Sequence, residues 1–171
     1  MVAPREYVLL PANRAFIAFS LALAFVLNLF PWGRLAFAPD FVALVLVFWN
    51  LRQPHLVGIG VAFAFGLLMD VHSAALLGEH ALAYSLLSYG AISLHRRLPW
   101  FGVRGRILHL FPLFLLAQTC TLVIRMAVGA DFPGWSYFLS SVSAAVLWPP
   151  AEWLLLAPQR RAIERDETRP L

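Results

Sequence analysis

Lysine is absent from this chain: all thirteen basic residues are arginine. Charge of either sign is scarce, at 13% of residues, whereas 61% are hydrophobic and the mean hydropathy is +0.75. That balance excludes an ordinary soluble globule. The single cysteine, Cys120, falls inside an apolar stretch, so neither an intrachain disulfide nor a cysteine-based metal cluster can form. The sequence has no HExxH, no Cys-x-x-Cys and no nucleophile elbow. His72, His80, His95 and His109 lack the spacing of metal ligands, and Glu79 and His80 stand alone in an expected loop. An enzyme is therefore a minor reading and no cofactor is expected. Low-complexity segments, long linkers and a convincing internal repeat are missing as well.

What the chain does have is long apolar runs. A membrane-crossing helix needs about 20 apolar residues, with a lower limit near 17. Three runs meet this comfortably, at 15–32, 107–128 and 135–157, with 129–134 as a tight turn between the last two. Shorter runs at 39–51, 54–69 and 80–94 complete a set of six. Runs two and three meet at Arg52-Gln53-Pro54. A re-entrant hairpin there would leave Arg52 near the bilayer centre, at a cost of about 2.5 to 3.5 kcal/mol. The favoured reading is that both cross, with Arg52 snorkelling to the surface and 35–40 entering as irregular chain. The first run could also be read as a signal peptide ending at Ala36-Phe37-Ala38, but it is too long, and Pro39 would follow the cut; it is read as retained.

The arginines orient this set. With both termini inside, Arg5, Arg14, Arg52, Arg96, Arg97, Arg104, Arg106, Arg160, Arg161, Arg165 and Arg169 are cytoplasmic, and only Arg34 and Arg125 lie outside. A net charge of +4 and a pI near 10 would suggest nucleic acid in a soluble protein. Here the arginines flank apolar spans one or a few at a time, so membrane orientation accounts for them and no nucleic-acid partner is expected. Trp32, Trp100 and Trp135 sit at expected interfaces, as an aromatic belt places them. The tail 159–171 is polar, suited to a frayed end or a short surface helix.

Several residues are candidates for packing or binding. Gly58, Ala62 and Gly66 recur every four positions, and Ser136, Ser140 and Ala144 make a second small-residue stripe. Such stripes let helices approach closely, either within the bundle or against a partner's helix. Asp40, Asp70 and Glu79 map to the outer ends of helices two to four, and Arg125 to the outer end of helix five. An ionisable group near hydrocarbon needs a partner, and the expected pair is Arg125 with Asp70 or Asp40. For Asp40, after Pro39 at a helix start, capping of free N–H groups is the simpler role. Asp70 ends a helix, where the dipole disfavours it, so it needs another partner. Glu152 follows Trp148-Pro149-Pro150, a proline pair expected to break or kink the helix. It could join His55, Arg52, Arg96 and Arg97 in one cluster, or stay solvated at the interface.

From Pro39 onward the chain resembles the MreD family of rod shape-determining proteins. The resemblance is carried by Pro39-Asp40, Trp49, Arg52-x-Pro54-His55, Gly58, Gly66-Leu67-Leu68-Met69-Asp70, Leu77-Gly78-x-His80-Ala81-Leu82-Ala83-Tyr84, Tyr89, Arg96-Arg97 and Leu147-Trp148-Pro149, in that order. Relatives often carry Trp-Gln-Gln before helix five, where this chain has Val103-Arg104-Gly105-Arg106. The resemblance implies an all-α integral membrane protein of about six transmembrane helices, similar to the substrate-binding (S-component) subunits of vitamin transporters. It also implies a non-enzymatic scaffold in the bacterial inner membrane. Its implied partners are MreC, a RodA-type glycan polymerase with its penicillin-binding transpeptidase, and MreB filaments, all acting in lateral peptidoglycan synthesis. The rival function is a small-solute binding subunit, which needs convergent polar side chains deep in the bundle.

Overall fold

A computed structural model of the chain describes residues 7–9, 13–31 and 37–162. Arg5, Trp32, Arg34, Arg165 and Arg169, the irregular entry at 35–36 and the tail beyond Ala162 lie outside the described residues. Six α-helices follow one another: α1 (Arg14–Leu29), α2 (Phe41–Arg52), α3 (Ile59–His72), α4 (Glu79–Leu94), α5 (Val103–Ala127) and α6 (Leu139–Leu156). Short 3-10 turns lie at Leu98–Trp100, Trp135–Phe138 and Ala157–Gln159. An expectation of helices alone omits one feature. Strands β1 (Tyr7–Leu9) and β2 (Arg160–Ala162) pair antiparallel, so part of the tail forms a ladder with the opposite end of the chain rather than a frayed end or helix.

The core is built around α2. Its sequence, FVALVLVFWNLR, is apolar on every side until its end, as a helix enclosed on all faces must be. Ten of its twelve residues are buried, and α1, α4 and α6 pack around it. Phe48 stands edge-on to Trp49 with ring centroids 4.9 Å apart, and 6.2 Å from Trp148 of α6. Two polar side chains inside this core are tied across helices. Trp49 Nε1 donates to Ser20 Oγ of α1 at 2.8 Å, and Asn50 Nδ2 donates to Ser88 Oγ of α4 at 2.7 Å and to Leu46 O at 2.8 Å. In an apolar surround such donors have no water to fall back on, so the bonds to Ser20 and Ser88 fix the register of α2 against α1 and α4.

Local chemistry sets the helix ends. Asp40 caps α2, accepting from Ala43 N at 3.0 Å. Gln53 precedes Pro54, a position that disfavours helix, and α2 stops there. Residues 54–57, expected to begin the third span, instead form a turn in which Leu56 and Val57 donate to Gln53 O. Gly58 is therefore the N-cap of α3 rather than a member of its face. Gly78, with φ +104°, takes the left-handed conformation that starts α4, and Gly129 and Gly134, with φ +94° and +92°, reverse the chain between α5 and α6. Of the expected break or kink at Pro149 and Pro150, the break does not occur: α6 runs on through both prolines.

Among the described residues, two helical stretches are long and apolar enough to cross a bilayer, Val103–Ala127 and Trp135–Gln159. The helices alternate in direction, which gathers their ends into two polar clusters. Arg106 and Arg125 of α5 mark those clusters, about 28 Å apart at 1.5 Å per helical residue.

Candidate functional site: two polar ends of one bundle

The acid-rich end collects the end of α1, the start of α2, the end of α3, the start of α4 and the end of α5. Asp40 is shared by three elements. Besides Ala43 N it accepts from Asn28 Nδ2 of α1 at 2.8 Å and from the Tyr84 hydroxyl of α4 at 2.6 Å. Asn28 Oδ1 in turn accepts from Phe41 N at 3.0 Å, tying the end of α1 to the start of α2.

Asp70 is 1% exposed and accepts from backbone N–H groups at the start of the next helix: Gly78 N at 2.8 Å, His80 N at 2.7 Å and Ala81 N at 3.4 Å. His80 Nδ1 lies 2.8 Å from the same carboxylate. The end of α3 repels an acid, but the start of α4 attracts one, and Asp70 acts as the side-chain cap that Gly78 cannot supply. With those donors in place it has no need of an arginine. Arg125 pairs with Glu79 instead, its Nε donating to Glu79 Oε1, which corrects the expected pairing with Asp70 or Asp40. Glu79 is 2% exposed in the first turn of α4, not in a loop, and its neighbour His80 is a partner of Asp70. The spelling Leu77-Gly78-Glu79-His80, a glycine followed by an acid before an apolar run, is a helix-start signal that identifies both.

Beside this cluster lies a cavity of about 390 Å³ between α4, α5, α6 and the turn before α6. Asp40, His80, Tyr84, Gln118, Thr121, Arg125, Tyr137 and the serines at 136, 140 and 141 supply its polar lining. Ser136, Ser140 and Ala144 therefore face this space rather than a tight helix crossing. Gln118 spans two elements, donating to Tyr137 O at 2.6 Å and accepting from Ser141 Oγ, while Thr121 Oγ1 and the Tyr137 hydroxyl are 2.8 Å apart.

The arginine-rich end is organised around one carboxylate. Glu152 Oε1 accepts from Arg106 Nη1 at 2.6 Å and from Arg52 Nη2 at 3.0 Å. Arg106 takes the place expected for Arg96, Arg97 and His55, none of which reaches Glu152. His95 Nδ1 lies 3.0 Å from Leu51 O, joining the ends of α4 and α2. Trp148 is buried, with its indole N–H unpartnered. Trp100 and Trp135 are almost fully exposed, at opposite ends of α5.

The small-residue stripe divides between these features. Ala62 is fully buried, and Gly66 faces the first turn of α4 so closely that an added Cβ would lie 2.5 Å from Ala81 N and 2.7 Å from the His80 carbonyl carbon. Gly58 meets only Pro54 O, at 3.5 Å. The close approach is intramolecular, α3 on α4, and it sets Asp70 against the amides it caps. Among the described residues, no group of three His, Cys, Asp or Glu side chains is placed to hold a metal ion.

A helical bundle with long apolar helices, buried acids satisfied at one end and arginines gathered at the other has the make-up of a membrane protein. The family model for "rod shape-determining protein MreD" matches residues 11–157, and the chain belongs to that family, whose members are membrane proteins. A curated relative, rod shape-determining protein MreD of Haemophilus influenzae, is 31% identical over 140 residues, covering 78% of this chain and 82% of that protein. No solved structure matches. Membership supports a role in rod-shape determination, and the family is one of shape-determining structural proteins rather than of known enzymes.

Proposed function

We propose that this chain is a non-enzymatic scaffold of the cell-elongation machinery, spanning the bacterial inner membrane six times. Its helices bind MreC and, with it, support the RodA-type glycan polymerase with its transpeptidase and the MreB filaments during lateral wall synthesis. The observation that carries this reading is the family match over nearly the whole length. Topology is supported by two independent features. The arginine-rich end is the one that positive-inside bias keeps cytoplasmic. The β1–β2 ladder brings the two ends of the chain to the same side, as an even number of crossings requires.

The test is co-purification from a rod-shaped host in which this chain replaces the resident family member. Recovery of MreC and the polymerase–transpeptidase pair by mass spectrometry, together with restored rod shape, is the expected result. Restored growth as spheres with no such neighbours recovered would overturn it. A reporter active only in the periplasm, fused after Leu171, should stay silent.

The cavity favours a second reading, a substrate-binding subunit of a small-solute (vitamin-type) transporter, because polar side chains from three helices converge on a half-open space of ligand size. Native mass spectrometry of protein taken directly from cells separates the two. A stoichiometric small molecule that leaves on Ser140→Leu favours the transporter reading; an empty cavity favours the scaffold.

A further inference from the structure

A shallow groove of about 420 Å³ lies between the end of α4 and the start of α5, lined by Leu94, Leu108, His109, Pro112, Leu113 and Leu116. Its walls are apolar, and Leu108 and Leu116 project outward, 72% and 49% exposed. Arg104, Leu108, Pro112 and Leu116 follow one another at four-residue steps, so a single winding stripe of α5 carries the cation and the apolar wall below it. On the other wall, Leu94 leads directly into Arg96 and Arg97. These three arginines are exposed and, unlike Arg52 and Arg106, meet no carboxylate among the described residues. Trp100, 89% exposed, stands in the loop that joins the two walls, the position an indole takes at headgroup level.

We propose that this groove is a binding site for one anionic phospholipid of the bilayer. Arg104 and the Arg96–Arg97 pair bond the phosphate, and one acyl chain lies along Leu108, Pro112 and Leu116. Charge complementarity selects the occupant. Three guanidinium groups that meet no carboxylate among the described residues, above an apolar furrow, match a molecule with an anionic phosphate at one end and a hydrocarbon chain at the other. A peptide helix would fill the furrow but supply no anion at its mouth. The inference rests on the membrane reading and is independent of any partner in wall synthesis.

The experiment uses the full chain, purified in an uncharged detergent, with native mass spectrometry counting bound lipid and thermal unfolding measured in parallel. Phosphatidylglycerol should be retained at one copy and raise the unfolding temperature, while phosphatidylcholine with the same acyl chains should do neither. Arg97→Gln with Arg104→Gln should weaken phosphatidylglycerol binding by about tenfold or more. Arg14→Gln, which removes an exposed arginine remote from the groove, should leave it unchanged. Inorganic phosphate should not compete, because the acyl chain contributes to binding.

Equal retention of the two lipids, or an equal loss on Arg14→Gln, would overturn the proposal. So would full competition by phosphate, which would reduce the site to a headgroup-only anion site. Binding that appears only when residues 163–171 are removed would mean that the chain's own acidic tail covers the arginines, and would overturn it as well.

Discussion

The two ends of the bundle handle charge in opposite ways. At the acid-rich end, Asp40, Asp70 and Glu79 each have their own donors, and two of them are almost wholly buried. At the arginine-rich end Glu152 is, among the described residues, the one carboxylate, shared by Arg52 and Arg106, whose side chains are 36% and 25% exposed. Buried charge demands a defined partner, because leaving one uncompensated costs several kcal/mol; an exposed pair is screened and contributes little. The acid-rich end therefore specifies how α3, α4 and α5 meet. At the other end Arg52 and Arg106 meet on Glu152 with their side chains partly exposed.

The largest effect should come from the contact that brings Asp70 to α4. Gly66→Ala places a carbon against backbone atoms of His80 and Ala81 that cannot move independently, and should cost about 2 to 3 kcal/mol or abolish folding. Gly58→Ala should stay within about 0.5 kcal/mol, since its nearest neighbour is at ordinary contact distance. Unfolding in detergent by near-ultraviolet circular dichroism compares them, and equal losses would erase the distinction between the two glycines.

Next in size is Asp70→Ala, which strips the cap from α4 and leaves buried amides unpaired, for about 2 to 4 kcal/mol. The loss should appear as early hydrogen exchange in residues 79–83. Smallest is Glu152→Gln at the opposite end. It should cost about 0.5 to 1 kcal/mol, and the difference from the unmodified chain should shrink further in 0.5 M salt. A salt-independent loss as large as that of Asp70→Ala would mean that the two ends are held alike.

Much of the fold is legible in sequence because hydrophobic length and turn residues speak directly. The expected span 80–94 is helix Glu79–Leu94, and 107–128 corresponds to Val103–Ala127. Where structure departs from sequence pattern, tertiary chemistry decides. The run from Pro54 to Val57 is apolar enough to pass for helix, yet it folds back on Gln53 O. Gly58 shares a spacing with Gly66 but not a surface. The presence of charged residues at the outer helix ends is readable, but their pairing is not, because a helix-start signal at Gly78-Glu79 marks free amides without saying which acid accepts from them. Asn28, Asn50 and Gln118 carry a weaker signal for a simpler reason. A lone polar residue in an apolar run looks tolerable in a string of letters, whereas in a bundle it must find a partner, as each of these does.

The choice of partner at the acid-rich end is tested most directly by two double-mutant cycles in detergent that share Arg125→Gln. Combined with Glu79→Gln, the substitution should show a coupling of about 1 to 3 kcal/mol, the double variant being less damaged than the two single losses added together. Combined with Asp70→Asn, the losses should add to within about 0.5 kcal/mol. Strong coupling of Arg125 to Asp70 together with additivity toward Glu79 would contradict the arrangement described for this end of the molecule.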